Sequence, residues 1–190
     1  LADTVKPRLE KAEADCSNIF VIDETDASLS MLDERIEKAI VEKKAKLLIL
    51  DPIQAYLGGK MDMNRANEAR DMTKHLGQVA ERTGCAIVLI GHMNKNSGGK
   101  VAYRGMGSID FFAVARSVLL VGRVKGQENR RAMVQIKNNL APEGKAYVFE
   151  LNPDYGFRWI GQDEYEVEDI LVRKPRTDSK LDKAKDCLLY

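Results

Sequence analysis

Two short runs of purely apolar residues constrain this chain more than any other feature. Leu47–Leu50 and residues 86–90 each have the length of a strand, and neither alternates with polar residues. Such runs are typical of strands whose two faces are both covered, as in a parallel sheet. Between them, residues 64–82 have the pattern of a long helix that ends at Gly84. Strand, helix and strand in this order predict a parallel βαβ unit.

The alternation of helices and strands extends from the start of the chain to residue 121. It predicts further helices at 4–14, 32–40 and 108–116, with strands at 19–22 and 118–121. Short strands separated by turns follow at 132–137, 146–151 and 157–160, which indicates antiparallel hairpins. We therefore predict an α/β fold, in which a mostly parallel sheet with flanking helices is extended at one edge by antiparallel strands.

The two ends of the sequence suggest a piece of a longer protein. The chain opens at Leu1 without a methionine, directly in an amphipathic segment. Residues 1–161 are predicted to form the core, and residues 162–190 a linker and the start of a helix that leads to a further domain.

Composition excludes several classes of function. The 30 basic and 29 acidic residues give a net charge of +1, so a nucleic-acid site would need a local concentration of basic groups. Three cysteines without metal-type spacing and two histidines argue against a zinc site and favour a reducing cytoplasm. We expect no membrane partner, because no apolar stretch approaches the length of a span, about 20 residues.

The first apolar strand ends in an acidic residue. Asp51 follows Leu47–Leu50 directly, and open α/β sheets bind their ligands at the carboxyl ends of the strands. In nucleotide triphosphatases such a carboxylate holds Mg²⁺ beside the β- and γ-phosphates. The structural alternative is that Asp51 caps a turn before Pro52.

The second apolar strand ends in a polar cluster of His92, Asn94 and Lys95. A polar group at the tip of the neighbouring strand can sense a γ-phosphate and pass its presence to the loop beyond. A lone histidine making a local hydrogen bond is the common alternative, but it does not explain why three polar side chains occur together.

The loop at 94–107 is rich in glycine and basic residues. Cations on a flexible backbone with an aromatic ring are suited to single-stranded nucleic acid, because they neutralise phosphates and stack on bases. The candidate DNA-binding residues are Lys95, Lys100, Tyr103 and Arg104. The alternative is a solvated loop without a ligand.

Four ordered motifs carry a resemblance to a known family. They read LLILDPIQAYL, AERTGCAIVLIGHMNK, YRGMGSIDFFAVARSVLLV and QIKNNLAPEG, within residues 4–151. This region resembles the RepA-like branch of the RecA/DnaB superfamily, the hexameric helicase-type ATPases. The resemblance implies a RecA-like fold, ATP and Mg²⁺ as cofactors of the full-length protein, self-association in a ring of six copies, and binding of single-stranded DNA.

The resemblance also implies roles for four residues. Asp51 matches the aspartate that binds Mg²⁺ through water, and His92 the position that senses the γ-phosphate. Arg116 matches the arginine that reaches the nucleotide of the neighbouring subunit, and Lys137 a second cationic contact to the nucleotide. Structural alternatives remain open, since Arg116 could stabilise a helix end or a surface ion pair and Lys137 could protect a sheet edge.

A phosphate-binding loop requires a glycine, four residues and then Gly-Lys-Ser/Thr. Gly58-Gly59-Lys60 and Gly98-Gly99-Lys100 both fail this pattern. In the resembling family, this loop and the catalytic glutamate precede a segment like residues 1–4. We therefore expect these 190 residues alone neither to bind ATP tightly nor to hydrolyse it.

Two other classes of function remain open. One is a non-motor accessory or regulatory ATPase that shares the fold without unwinding DNA. The other is a binding module without a phosphate loop, which acts through oligomerisation or DNA contact.

Overall fold

The computed structural model describes residues 5–22, 28–57, 66–92 and 109–170. The helices are α1 (Val5–Lys11), α2 (Glu34–Lys43), α3 (Ala66–Thr83), α4 (Ile109–Val114) and α5 (Val167–Ile170), with 3-10 turns at Cys16–Asn18 and Ile53–Tyr56. The strands are β1 (Leu47–Leu50), β2 (Ala86–Leu89), β3 (Ser117–Arg123), β4 (Arg130–Asn138), β5 (Ala146–Asn152) and β6 (Gly156–Asp163). These elements form two compact units: residues 1–118 with 137–141, and residues 119–136 with 142–190.

The first unit is built on the predicted βαβ unit. Strands β1 and β2 pair in parallel, with Leu47 opposite Ala86 and Leu50 opposite Leu89. One face of this pair packs against the core, whereas Leu47 and Ile49 on the other face are 53% and 52% exposed. The βαβ prediction is confirmed, but within the described residues the strands are covered on one face only.

The spacing of apolar residues explains how α2 and α3 pack. Along α3 the buried side chains recur every three or four residues, at Ala69, Met72, Leu76 and Val79, which places them on one face of a helix. Its one buried polar side chain, Thr73, donates its hydroxyl proton to the Ala69 carbonyl oxygen at 2.8 Å. Gly84 has a φ of +66°, which ends α3 without the steric cost that a side chain would carry.

Both ends of α2 are capped. Asp33 accepts a hydrogen bond from the Arg35 backbone N–H at 2.9 Å and so satisfies a donor in the first turn. Lys44 adopts a left-handed conformation just after the last turn. Between the caps, Ile36 and Ile40 bury one turn apart in the core of the first unit.

An ion pair joins α2 to α3. Arg82 donates to both carboxylate oxygens of Glu37, from Nε at 2.9 Å and from Nη2 at 2.7 Å. These hydrogen bonds hold the pKa of Glu37 below its usual value. The pair stabilises the packing of the helices only modestly, because half of the Arg82 side chain remains in solvent.

We expect Arg82→Gln to lower stability at neutral pH and to have no effect in acid. A carboxyl group with a depressed folded-state pKa contributes stability above its unfolded pKa, and this contribution disappears as the pH falls through the folded value. The unfolded value for glutamate is about 4.3, so the difference between variant and wild type should vanish at pH values well below it. Urea unfolding of both proteins over a pH series measures this, with Glu37→Gln as the control that removes the titrating group. A difference that persists unchanged into acid would contradict the prediction.

The second unit is a sheet with its core on one face. Strands β3 to β6 follow one another in a four-stranded sheet in the order β3-β4-β5-β6, and β5 pairs antiparallel with both β4 and β6. Val124, Ala132, Val134, Ala146 and Ile170 form its buried cluster. Gly122 permits the approach of α5, because a Cβ atom there would lie 2.9 Å from the Ile170 carbonyl oxygen. The predicted antiparallel strands are confirmed.

Three predictions about the fold need correction. The described strands form a two-stranded parallel sheet and a separate four-stranded sheet, not one mostly parallel sheet. Residues 19–22 are not a strand and instead follow a 3-10 turn that Asp15 caps. The helix predicted at 108–116 ends at Val114.

Two further features bear on partners and on the chain's end. The helix predicted at 179–190 lies outside the described residues. Among the helices of the described ranges, none combines the length and the apolarity needed to cross a membrane.

Candidate nucleotide and magnesium site

Asp51 lies between two buried anchors at the carboxyl end of β1. Leu50 and Ile53, on either side, are 2% and 1% exposed. Both are tied to Ile90, because the Ile90 N–H donates to the Leu50 carbonyl oxygen at 3.0 Å and the Ile53 N–H donates to the Ile90 carbonyl oxygen at 2.8 Å. Asp51 itself is exposed. The fold therefore presents its carboxylate to solvent from a fixed backbone.

The Asp51 carboxylate is available for a ligand in the described part of the chain. No hydrogen bond or salt bridge to another described residue engages it. The 3-10 turn that follows, Ile53–Tyr56, begins after Pro52 without a side-chain cap. The alternative of a turn-capping aspartate thus receives no support from the hydrogen bonds.

His92 lies at the same edge of the parallel sheet as Asp51. It follows Ile90 by two residues, and the backbone of Ile90 is the one that bonds to the residues flanking Asp51. Because β1 and β2 are parallel and Leu50 is opposite Leu89, the chain leaves both strands at one edge. His92 is exposed there, so the structure brings the two predicted site residues to one solvent-facing rim.

Arg116 occupies the connection between α4 and β3. It lies two residues beyond the end of α4, so its side chain is not part of the helix's last turn. Its carbonyl oxygen accepts a hydrogen bond from the Asn139 N–H at 2.9 Å. The guanidinium is exposed, and no residue of the described ranges forms a salt bridge with it. Neither structural alternative for Arg116 therefore accounts for it.

Lys137 makes contacts that its predicted role does not include. Its Nζ atom donates to the Phe112 carbonyl oxygen at 2.9 Å and to the Ala113 carbonyl oxygen at 2.8 Å. The same ammonium lies 5.4 Å from the centroid of the Phe112 ring, which adds a cation–π attraction. Lys137 thus caps the C-terminus of α4, and a direct contact to a nucleotide stays a prediction.

The predicted residues fall into two groups and one unobserved set. Asp51 and His92 share the rim, whereas Arg116 and Lys137 share the segment around the end of α4. The predicted DNA-binding residues lie outside the described residues, namely Lys95, Lys100, Tyr103 and Arg104.

Sequence reasoning missed Asn139. Its backbone N–H binds the Arg116 carbonyl oxygen, so the contact does not depend on the side chain. The available signal was its position two residues after Lys137, which is close to one repeat of an extended strand.

The donor set of the rim fits Mg²⁺ better than a transition metal. Mg²⁺ binds through one or two carboxylates, and waters and substrate phosphates supply the remaining oxygen ligands. Asp51 offers one carboxylate in this way. Within the described ranges, no group of three or more His, Cys, Asp or Glu side chains could hold a metal ion, so any metal at the rim would need ligands from the substrate.

Comparison with known proteins agrees with the predicted class. Residues 2–98 match the family model of an AAA domain, about half of the 190 residues. The chain also resembles a solved structure, the ATPase domain of a helicase, with a TM-score of 0.56 and 12% identity. That match covers 71% of this chain and 52% of the other, so the chain spans about half the length of the structure that it matches. A search of curated protein sequences found no significant match.

The chain belongs to the AAA-domain family, and it has a mixed α/β fold of the RecA-like, helicase-type ATPase kind. The level of identity to the solved helicase domain is that of a shared fold, which leaves the activity to be argued from the site.

Proposed function

We propose that this chain is the rear part of a RecA-like ATPase domain of the RepA-like helicase kind. In the natural gene product it would hydrolyse ATP at the borders between identical subunits of a six-membered ring in the cytoplasm. The single observation that carries the proposal is the rim formed by Asp51 and His92, where a fixed backbone presents an exposed carboxylate and an exposed imidazole at the carboxyl ends of two parallel strands.

Each rim residue has a distinct chemical task in this proposal. Asp51 holds the Mg²⁺ of Mg–ATP through a bound water, and the bound ion supplies neutralisation of the phosphate oxygens. His92 forms a hydrogen bond to the γ-phosphate when ATP is bound and loses it when ADP is bound. Because His92 is followed directly by the segment that contains Lys95, the loss of this bond can alter the loop at 94–107.

Arg116 acts on the nucleotide of the neighbouring copy. An exposed guanidinium without an ion-pair partner among the described residues is suited to neutralise charge that develops on a transferred phosphoryl group. In this proposal the nucleotide that Arg116 contacts is held by the rim of the neighbouring copy, so two copies complete one site.

The remaining parts come from the predicted resemblance. The phosphate-binding loop and the catalytic glutamate would be supplied by residues other than these 190. Single-stranded DNA would contact Lys95, Lys100, Tyr103 and Arg104 as the loops move with hydrolysis. Their cationic and aromatic side chains are the types that such a strand requires.

The proposal is tested by ATP hydrolysis and DNA binding of the natural gene product that carries this sequence. We expect turnover that requires Mg²⁺, and tighter binding of single-stranded DNA with an ATP analogue than with ADP, by about 5- to 150-fold as for typical coupled sites. His92→Ala should bring this ratio close to one, because the sensor of the γ-phosphate is removed.

The second histidine provides the control. His75 lies in the middle of α3 and not at a strand end, and His75→Ala should retain the full ratio. Hydrolysis without duplex unwinding would favour a non-motor ATPase over a helicase. A gene product that binds no ATP would contradict the proposal and favour a binding module.

A further inference from the structure

Lys137 and Asn139 hold the two ends of one short segment. Lys137 donates to the Phe112 and Ala113 carbonyl oxygens at the C-terminus of α4. Two residues later, the Asn139 N–H donates to the Arg116 carbonyl oxygen at 2.9 Å. The stretch from α4 to Arg116 is therefore fastened at both ends to one continuous piece of chain.

The physical chemistry of α4 makes the lysine contact important. A helix leaves its last four carbonyl groups without partners inside the helix, and α4 has only six residues. A helix this short has little stability of its own. A cation that donates to two of these carbonyls satisfies them with charge-assisted hydrogen bonds and also complements the helix dipole.

The other end of α4 is fixed by burial. Phe111 is 2% exposed and belongs to the core of the first unit, and its carbonyl oxygen accepts a hydrogen bond from the Ala115 N–H at 3.1 Å. The exposed residue that follows, Arg116, thus starts from a backbone defined by the core, by Lys137 and by Asn139.

We propose that Lys137 is a positioning residue, which fixes the end of α4 so that Arg116 projects toward the neighbouring subunit's nucleotide. This inference rests on the proposed function of Arg116. It differs from the predicted role of Lys137, because the ammonium already has two carbonyl partners and an aromatic ring and acts on the phosphate only through Arg116.

The test uses Lys137→Met, which keeps the length and apolar character of the side chain and removes the donor. We expect kcat for ATP hydrolysis to fall about 10- to 100-fold, the effect of a misplaced catalytic group, with the KM for ATP unchanged. Hydrogen exchange at the Asn139 amide should become faster, because its acceptor is no longer held. Lys137→Arg, which can still donate to both carbonyls, should restore both values, and Lys125→Met serves as a matched loss of an exposed lysine.

A double-mutant cycle separates positioning from direct contact. Measured by single-turnover hydrolysis at excess enzyme, Lys137→Met should have no further effect when Arg116 is already alanine. An equal fold-loss in that background would mean that Lys137 contacts the phosphate by itself, which overturns the inference.

Failure of the inference and failure of the proposed function give different results. Wild-type turnover and unchanged Asn139 exchange in Lys137→Met, with Arg116→Ala inactive, overturn the inference alone. Wild-type turnover in Arg116→Ala contradicts the proposed role of Arg116 and overturns the inference with it.

Discussion

Arg116→Ala is expected to lower kcat for ATP hydrolysis by about 10³-fold or more, the size of effect that an arginine supplied in trans has in related phosphoryl transfers. The guanidinium is exposed and has no ion-pair partner in the described ranges, so its removal should leave the fold intact. ATP binding to the same subunit should change little, because that site is built around the subunit's own Asp51. Steady-state hydrolysis and equilibrium binding of a fluorescent ATP analogue measure the two quantities.

Arg123 supplies the matched control for this variant. It is another exposed arginine, at the end of β3, and no proposed site includes it. Arg123→Ala should keep wild-type hydrolysis. A wild-type kcat in Arg116→Ala, or a loss of ATP binding equal to the loss of kcat, would contradict the role assigned to Arg116.

Asp51→Asn is expected to lower Mg²⁺-dependent hydrolysis by about 10- to 100-fold, as for residues that hold a metal through a bound ligand. The amide keeps the size of the side chain but not the charge, so the Mg²⁺ concentration for half-maximal activity should rise. Because Asp51 is exposed between buried neighbours, thermal stability should stay close to wild type. A titration of activity with Mg²⁺ measures the shift.

The corresponding control is Asp71→Asn, on the exposed face of α3. It should leave both the maximal rate and the Mg²⁺ dependence unchanged. Equal Mg²⁺ titrations for Asp51→Asn and wild type would contradict the metal-holding role and leave Asp51 a structural residue of the strand end.

Local pattern was sufficient to predict those elements that depend on nearby residues. The apolar run Leu47–Leu50 is β1 as predicted, and the helix before Gly84 ends where a residue with positive φ follows it. The predicted strand at 19–22 is wrong for a non-local reason. Ile19, Phe20 and Val21 are apolar but 41%, 53% and 60% exposed, because a strand also needs a pairing partner that the local sequence does not specify.

The division into two sheets has the same cause. Each strand beyond residue 117 could be recognised from its own residues, but which strands pair depends on contacts between distant segments. The bounds of α4 depend on tertiary contacts as well, since a six-residue helix is stabilised mainly by its surroundings.

The rim was predictable and the surroundings of Arg116 were not. Asp51 and His92 follow two parallel strands, and the ends of such strands meet at one edge. The hydrogen bonds of Lys137 join residues 24 and 25 positions apart in the sequence, and the bond from Asn139 uses only its backbone. No spacing rule connects these residues before the fold is known.

Mixing two inactive variants tests most directly whether Asp51 and Arg116 of different copies serve one nucleotide. In a ring assembled from equal amounts of Asp51→Asn and Arg116→Ala, about one border in four combines an intact Asp51 with an intact Arg116 from its neighbour. The account predicts that the mixture regains about a quarter of the wild-type rate, although each variant alone is nearly inactive. A mixture no more active than the mean of the two separate variants would contradict a site shared between subunits.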